Sequence, residues 1–98
     1  MTVVVRLPAA LAEHAEGRRL VSLDLPPNST LADVMTALGE QYPAVRRRIV
    51  DETGQLRRFV NVYVGNHECR LLGGLEALVL PDAEISVIGS IAGGANPA

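Results

Sequence analysis

Ser29-Thr30-Leu31-Ala32-Asp33-Val34-Met35-Thr36-Ala37-Leu38-Gly39-Glu40-Gln41-Tyr42, residues 29–42, is the stretch whose reading decides the fold. Thr30 is placed to cap the free amides of a helix. Asp33 stands at the third helical position, like the acid of a capping box, where its charge also suits the positive end of the helix dipole. Leu31, Val34, Met35, Leu38 and Tyr42 follow helical spacing and make one apolar stripe. Pro43 stops this helix and is suited to begin a second, shorter one. In Pro43 to Val50, Val45 and Ile49 face inward and Arg46, Arg47 and Arg48 face outward.

Outside these helices the chain reads as strands and turns. Thr2 to Leu7 alternates and ends at Pro8. Pro8 to Gly17 reads as a loop or short turn. Arg19 to Leu25 alternates again and ends at Pro26-Pro27. These two strands form an expected N-terminal hairpin. Asp51 to Gly54 is a turn. Phe59 to Val64 is the strongest strand signal, with Val60, Val62 and Val64 on one face and Phe59, Asn61 and Tyr63 on the other. Gly65-Asn66 is a tight turn, and His67 to Leu71 reads as the returning strand. Glu84 to Ile88 is the last strand. One long helix must cover four or five short strands. The expected fold is therefore a two-layer α+β β-grasp, a mixed four- to five-stranded sheet with one main helix across it and a short second helix. In that arrangement a helical crossover brings a strand beside the first.

Composition narrows the function. A chain of 98 residues makes one domain, which buries roughly 60–65% of its unfolded surface and leaves little room for an enclosed cavity. A site on an edge, loop or tail is favoured. Aromatics are 3% of the chain, so the core must be aliphatic. The net charge of −2 argues against a general nucleic-acid binder. Every basic residue is Arg, so no lysine chemistry is available. No run approaches the ~20 apolar residues of a membrane span, and the first residues lack a signal peptide's apolar core. With a lone Cys69, no internal disulfide forms. A cytoplasmic setting is expected.

Few side chains suggest catalysis. Cys69, read as a strand residue, fits a packed and inert thiol better than a reactive one. His14 and His67 lie far apart, and no spacing suggests a metal site. Asp51 and Glu52 read as turn residues without a partner carboxylate. Arg46-Arg47-Arg48 with Arg57-Arg58 read either as a solvated surface or as a docking patch for an acidic partner. Phe59 and Tyr63, with Arg58 beside them, are expected on the open sheet face near Val4 and Ile88, as a partner-binding surface.

Arg58-Phe59-Val60-Asn61-Val62-Tyr63-Val64, then Arg70, then Gly73-Gly74-Leu75, and the closing run Asp82 to Gly94 resemble the ThiS/MoaD family of ubiquitin-like sulfur carriers. With the extra helix after Pro43, the chain is most similar to the carriers of bacterial cysteine biosynthesis. The resemblance implies a domain over residues 1–89 and a flexible tail over 90–98. It implies a carrier that acts with partner enzymes and is not itself an enzyme. It binds no cofactor; an activating enzyme spends ATP to adenylate the Gly94 carboxylate, which becomes a thiocarboxylate. Ile91, Ala92 and Gly93 would thread into the partner. From Val87 to Gly94 the extended chain spans at most roughly 23–25 Å. A sulfur-accepting synthase would then use the sulfur.

Members of this family end at the second glycine, whereas here Ala95-Asn96-Pro97-Ala98 follow. Either a tail-trimming metallopeptidase cuts between Gly94 and Ala95, or the chain as encoded carries no sulfur. Two other readings share the fold: the small subunit of molybdopterin synthase, and a protein modifier joined to lysines through Gly94. A plain interaction module is the remaining alternative.

Overall fold

The computed structural model describes residues 1–89; residues 90–98 lie outside the description. Five strands, β1 (Thr2–Arg6), β2 (Leu20–Asp24), β3 (Val60–Val64), β4 (His67–Glu68) and β5 (Glu84–Gly89), make one sheet in the order β2-β1-β5-β3-β4. β1 runs antiparallel to β2 and parallel to β5, and β3 is antiparallel to both β5 and β4. Three helices accompany them: α1 (Ala9–Ala12), α2 (Leu31–Gln41) and α3 (Pro43–Ile49). This is the expected mixed α+β β-grasp sheet with one main helix. The strand that lies parallel beside β1 is the last one, β5, and not the first strand after the helices.

Alternation explains the layers. Val3, Val5, Val21, Leu23, Val62, Ile85 and Val87 are buried on one sheet face, against Leu31, Val34, Met35 and Leu38 of α2. α3 adds Val45 and Ile49, so the largest fully buried side chains are aliphatic apart from Met35. α2 starts as its sequence requires. The Thr30 hydroxyl accepts from the Asp33 amide at 3.4 Å, and the Asp33 carboxylate accepts from the Thr30 amide at 2.9 Å. The same end is pinned laterally: the Leu31 amide donates to Ala77 O and the Val79 amide to Ser29 O, both at 2.9 Å. Ser29, buried and polar, donates its hydroxyl to Pro26 O at 2.8 Å. At Gly39 the Arg46 side chain of α3 packs against α2 in the space a Cβ would take.

Three segments depart from the sequence reading. Residues 8–17 contain the helical turn α1, since Leu11, Ala12 and Ala15 repeat at helical spacing and all are buried. Glu16 and Gly17 close it with φ of 59° and 80°. β4 is only two residues long. Cys69 to Leu72 form a 3-10 turn instead, which sinks Cys69 into the core and ends at Gly73 with φ of 107°. Phe59 precedes β3: the Val60 amide donates to Arg57 O at 3.1 Å, so Phe59 sits on a turn.

Candidate functional site: the Val60–Gly89 end of the sheet

β5 ends at Gly89, which is paired with Val60, the first residue of β3. Gly89, the last described residue, therefore stands beside the Arg57–Val60 turn, where Phe59 is 66% exposed and Arg58 is exposed. Ile88, paired with Asn61, adds a half-exposed aliphatic side chain on the outer face. Tyr63 also faces outward. It is half-buried in the row Tyr63–Ser86–Arg6, three residue pairs from the Val60–Gly89 end. Val4 lies two pairs further, level with Glu84, where Arg6 and Glu84 form an ion pair at 2.9 Å. The outer face thus holds Tyr63, Ile88 and Val4 together, while Phe59 and Arg58 stand at its end. Ile91, Ala92, Gly93, Gly94 and Ala95 lie outside the described residues.

Arg70 holds this end in place. Its Nη2 donates to Arg57 O at 3.2 Å and to Val60 O at 3.1 Å, and its Nη1 to Glu68 Oε2 at 3.0 Å and to Asn61 Oδ1 at 3.5 Å. One planar guanidinium therefore ties the 3-10 turn to the start of β3, a use that matches its fixed fork of donors. The motif contained Arg70, but its role was not readable, because no local pattern says which carbonyls a distant arginine will meet.

The titratable groups argue against side-chain catalysis by the thiol. Cys69 has no exposed surface, and burial, reinforced by the neighbouring Glu68 carboxylate, pushes its thiol up to about 11. At neutral pH it is a protonated core residue. Asp51 titrates below the usual carboxylate value, because its oxygen accepts first from the Thr53 hydroxyl at 2.6 Å and also from the Gln55 and Thr53 amides. It is a loop organiser. Among the described residues, no group of three or more His, Cys, Asp or Glu is placed to hold a metal ion, and no helix is long and apolar enough to cross a membrane.

The ThiS family model matches residues 5–94. The sulfur carrier protein CysO of Mycobacterium tuberculosis is 32% identical over 96 residues, covering 96% of this chain and all of CysO. Small archaeal modifier protein 1 of Haloferax volcanii is 35% identical over 89 residues, 91% of this chain and 97% of the modifier. The crystal structure of the Mycobacterium tuberculosis CysO superposes with a TM-score of 0.80 at 30% identity, over 89% of this chain and 97% of CysO. CysO in the BexX/CysO complex of Amycolatopsis orientalis gives 0.80 at 29% identity, over 89% and 93%. With an aliphatic β-grasp core, a central β5 whose last described residue pairs with Val60, and a family match running to Gly94, the protein belongs to the ThiS family.

Proposed function

We propose that the protein is a sulfur carrier whose reactive group is the Gly94 carboxylate, made available by a cut between Gly94 and Ala95. The observation that carries this reading is the end of the family match at Gly94, five residues beyond Gly89, the last described residue of β5 and the partner of Val60. Five extended residues reach at most about 18 Å, enough to enter a partner's active site while the domain docks outside. Glycine at 93 and 94 has no Cβ to obstruct a narrow channel.

In the proposed sequence, the Gly94 carboxylate attacks the α-phosphorus of ATP on an activating enzyme and pyrophosphate leaves. A hydrosulfide anion then adds to the acyl carbon, and the C–O bond to AMP breaks. The product is a thiocarboxylate, which delivers its sulfur to a synthase, with cysteine biosynthesis as the proposed route. The pocket, the ATP and the proton transfers belong to the partners, which fits a chain without a reactive side-chain cluster among its described residues. The buried Cys69 supports backbone chemistry at the tail over a cysteine-bound sulfur. On this reading residues 1–89 are the docking domain and residues 90–98 the tail, trimmed by a metallopeptidase. The cytoplasm is the proposed location.

A second reading has its own support. The likeness to small archaeal modifier protein 1 favours a modifier joined through Gly94 to other proteins. Lacking lysine, such a modifier could not build chains on its own lysine side chains.

Intact mass separates these. The full chain and a form ending at Gly94 are incubated with ATP, sulfide and an adenylating enzyme from the same genome. An oxygen-to-sulfur mass shift on the short form alone is the expected result. No shift on either form overturns the carrier reading. High-mass adducts on lysate proteins would favour the modifier.

A further inference from the structure

Arginines without an ion-pair partner among the described residues gather beside the Gly89 end of β5. Extending the parallel register of β1 and β5 puts Ala9, the first residue of α1, about level with Gly89. On the other flank, Arg57 and Arg58 lead into Val60, the partner of Gly89. The last turn of α3 joins the two sides. The Arg57 amide donates to Ile49 O at 2.9 Å, and its Nε to Arg47 O at 2.8 Å. Between α1 and this turn lies an open cleft of about 580 Å³. Leu11, Glu13 and His14 are on one wall, and Arg47, Arg48 and Arg57 on the other.

The charges of the cleft do not cancel. Among the described residues, the ion pairs are Arg6–Glu84, Arg18–Glu16 and Arg70–Glu68. Arg47, Arg48, Arg57 and Arg58 are all exposed, and among the described residues none of them has a carboxylate oxygen at ion-pair distance. The nearby acids are Glu13, which lines the cleft, and Asp51 and Glu52, which lie beyond Arg47 and Arg57. Asp51 already spends its carboxylate on its own loop. The protein as a whole is at −2, so this basic end gives it a pronounced charge asymmetry.

We propose that the α1–α3 cleft receives an acidic segment, rich in Asp and Glu, at the rim of the activating enzyme that accepts the tail. The proposal rests on the carrier reading and adds to it the surface and the partner chemistry. Guanidinium forks pair with carboxylates in bidentate geometry, and an all-arginine patch favours that geometry over simple charge neutralisation. A net-negative protein with one basic end is turned by an acidic surface so that this end, and therefore the tail, arrives first. The effect falls mainly on the association rate. A nucleic acid is a poorer occupant, since the rest of the molecule repels a polyanion.

The test uses the chain ending at Gly94 and the adenylating enzyme of the same genome, with association followed by stopped flow. The variant Arg47→Gln/Arg48→Gln leaves the structural bond from Arg57 to the Arg47 carbonyl in place. Asn66→Asp/Leu80→Glu makes the same change in net charge at exposed positions beside the β3–β4 turn, at the opposite end of the sheet. Association of the arginine variant is expected to slow about tenfold at about 0.05 M salt. The difference should shrink to under about twofold at about 0.5 M, where screening is short-ranged. The control should stay within about twofold of wild type, and saturating enzyme should thiocarboxylate both variants. Equal slowing of both variants, or none, overturns the patch while leaving the carrier reading intact. Failure of the unmodified chain to associate or to gain sulfur overturns both. Tight binding of a short single-stranded DNA, lost in the arginine variant, would make the cleft a general polyanion site and also refute the proposal.

Discussion

Val60 stands across the sheet from Gly89, and the carbonyl of Val60 accepts a hydrogen bond from Arg70 at 3.1 Å. The residue paired with the last described residue of β5 is thus fixed by a side chain from the far side of β3. The start of β3 has only a turn before it, so this guanidinium replaces the ladder that a longer strand would provide.

Arg70→Ala should therefore destabilise the protein by about 1–2 kcal/mol, since it removes charged donors from two carbonyls at a partly solvated site. The urea midpoint should fall with little change in slope. Amide exchange at Val60 should accelerate more than at Leu38, deep in α2. Arg70→Lys should recover less than half of the loss, because one ammonium cannot span both carbonyls as the fork does. An unchanged midpoint for Arg70→Ala would remove the clamp from the account.

Cys69 makes a prediction about pH. Its thiol is pushed up to about 11 in the folded protein, against 9.0 for an unperturbed thiol. The folded state therefore holds the proton more tightly. The contribution of Cys69 to stability is constant below pH 9 and is lost as pH rises from about 9 to about 11. A gap of that size corresponds to a loss of roughly 2–3 kcal/mol at most. Other groups titrate in the same range, so the quantity to measure is the difference between wild type and Cys69→Ala. That difference should slope downward above pH 9 and be flat below it. At pH 8 the native thiol should resist an alkylating reagent that labels it fully in denaturant.

Thr30 offers a local test of why α2 begins where it does. Thr30→Ala should cost about 1 kcal/mol, the usual loss for an N-cap hydroxyl, and lower the thermal midpoint by several degrees. Asp33→Asn keeps a side-chain acceptor for the Thr30 amide but loses the charge at the dipole, so it should cost less. Equal stability of Thr30→Ala and wild type would mean that the lateral bonds from residues 77–79 alone fix this end.

These residues also show what a sequence can and cannot disclose. The Thr30–Asp33 box and the stripe Leu31, Val34, Met35 and Leu38 were legible, because capping and helical burial depend on neighbours three or four positions apart. The valines of β1 and β3 were legible for the same reason at a spacing of two. Residues 69–72 misled, because a short apolar run fits a strand as well as a 3-10 turn. What decided it was burial of Cys69 and a left-handed Gly73. The grip of Arg70 and the meeting of Arg47, Arg48 and Arg57 with α1 join positions more than nine residues apart, and no periodicity announces such contacts. Which strand would lie beside β1 was left unspecified, because pairing across the sheet is set by the whole topology.

Phe59 and Tyr63 were read as equivalent aromatics on one face, and the structure separates them into different predictions. Phe59 lies on the turn beside the Val60–Gly89 pair and is 66% exposed, whereas Tyr63 is half-buried within a cross-strand row. On the proposed carrier reading, Phe59 is the side chain that a partner docking at this end of the sheet would meet. Phe59→Ala should therefore change stability by no more than about 0.5 kcal/mol, as is usual for surface positions. It should weaken the complex with the activating enzyme about tenfold in a calorimetric titration of the form ending at Gly94. Tyr63→Ala should show the opposite balance, with a loss of about 1 kcal/mol in stability from its cross-strand neighbours and a smaller loss in binding. Equal affinities for Phe59→Ala and wild type would show that the partner grips the tail without using this end of the sheet.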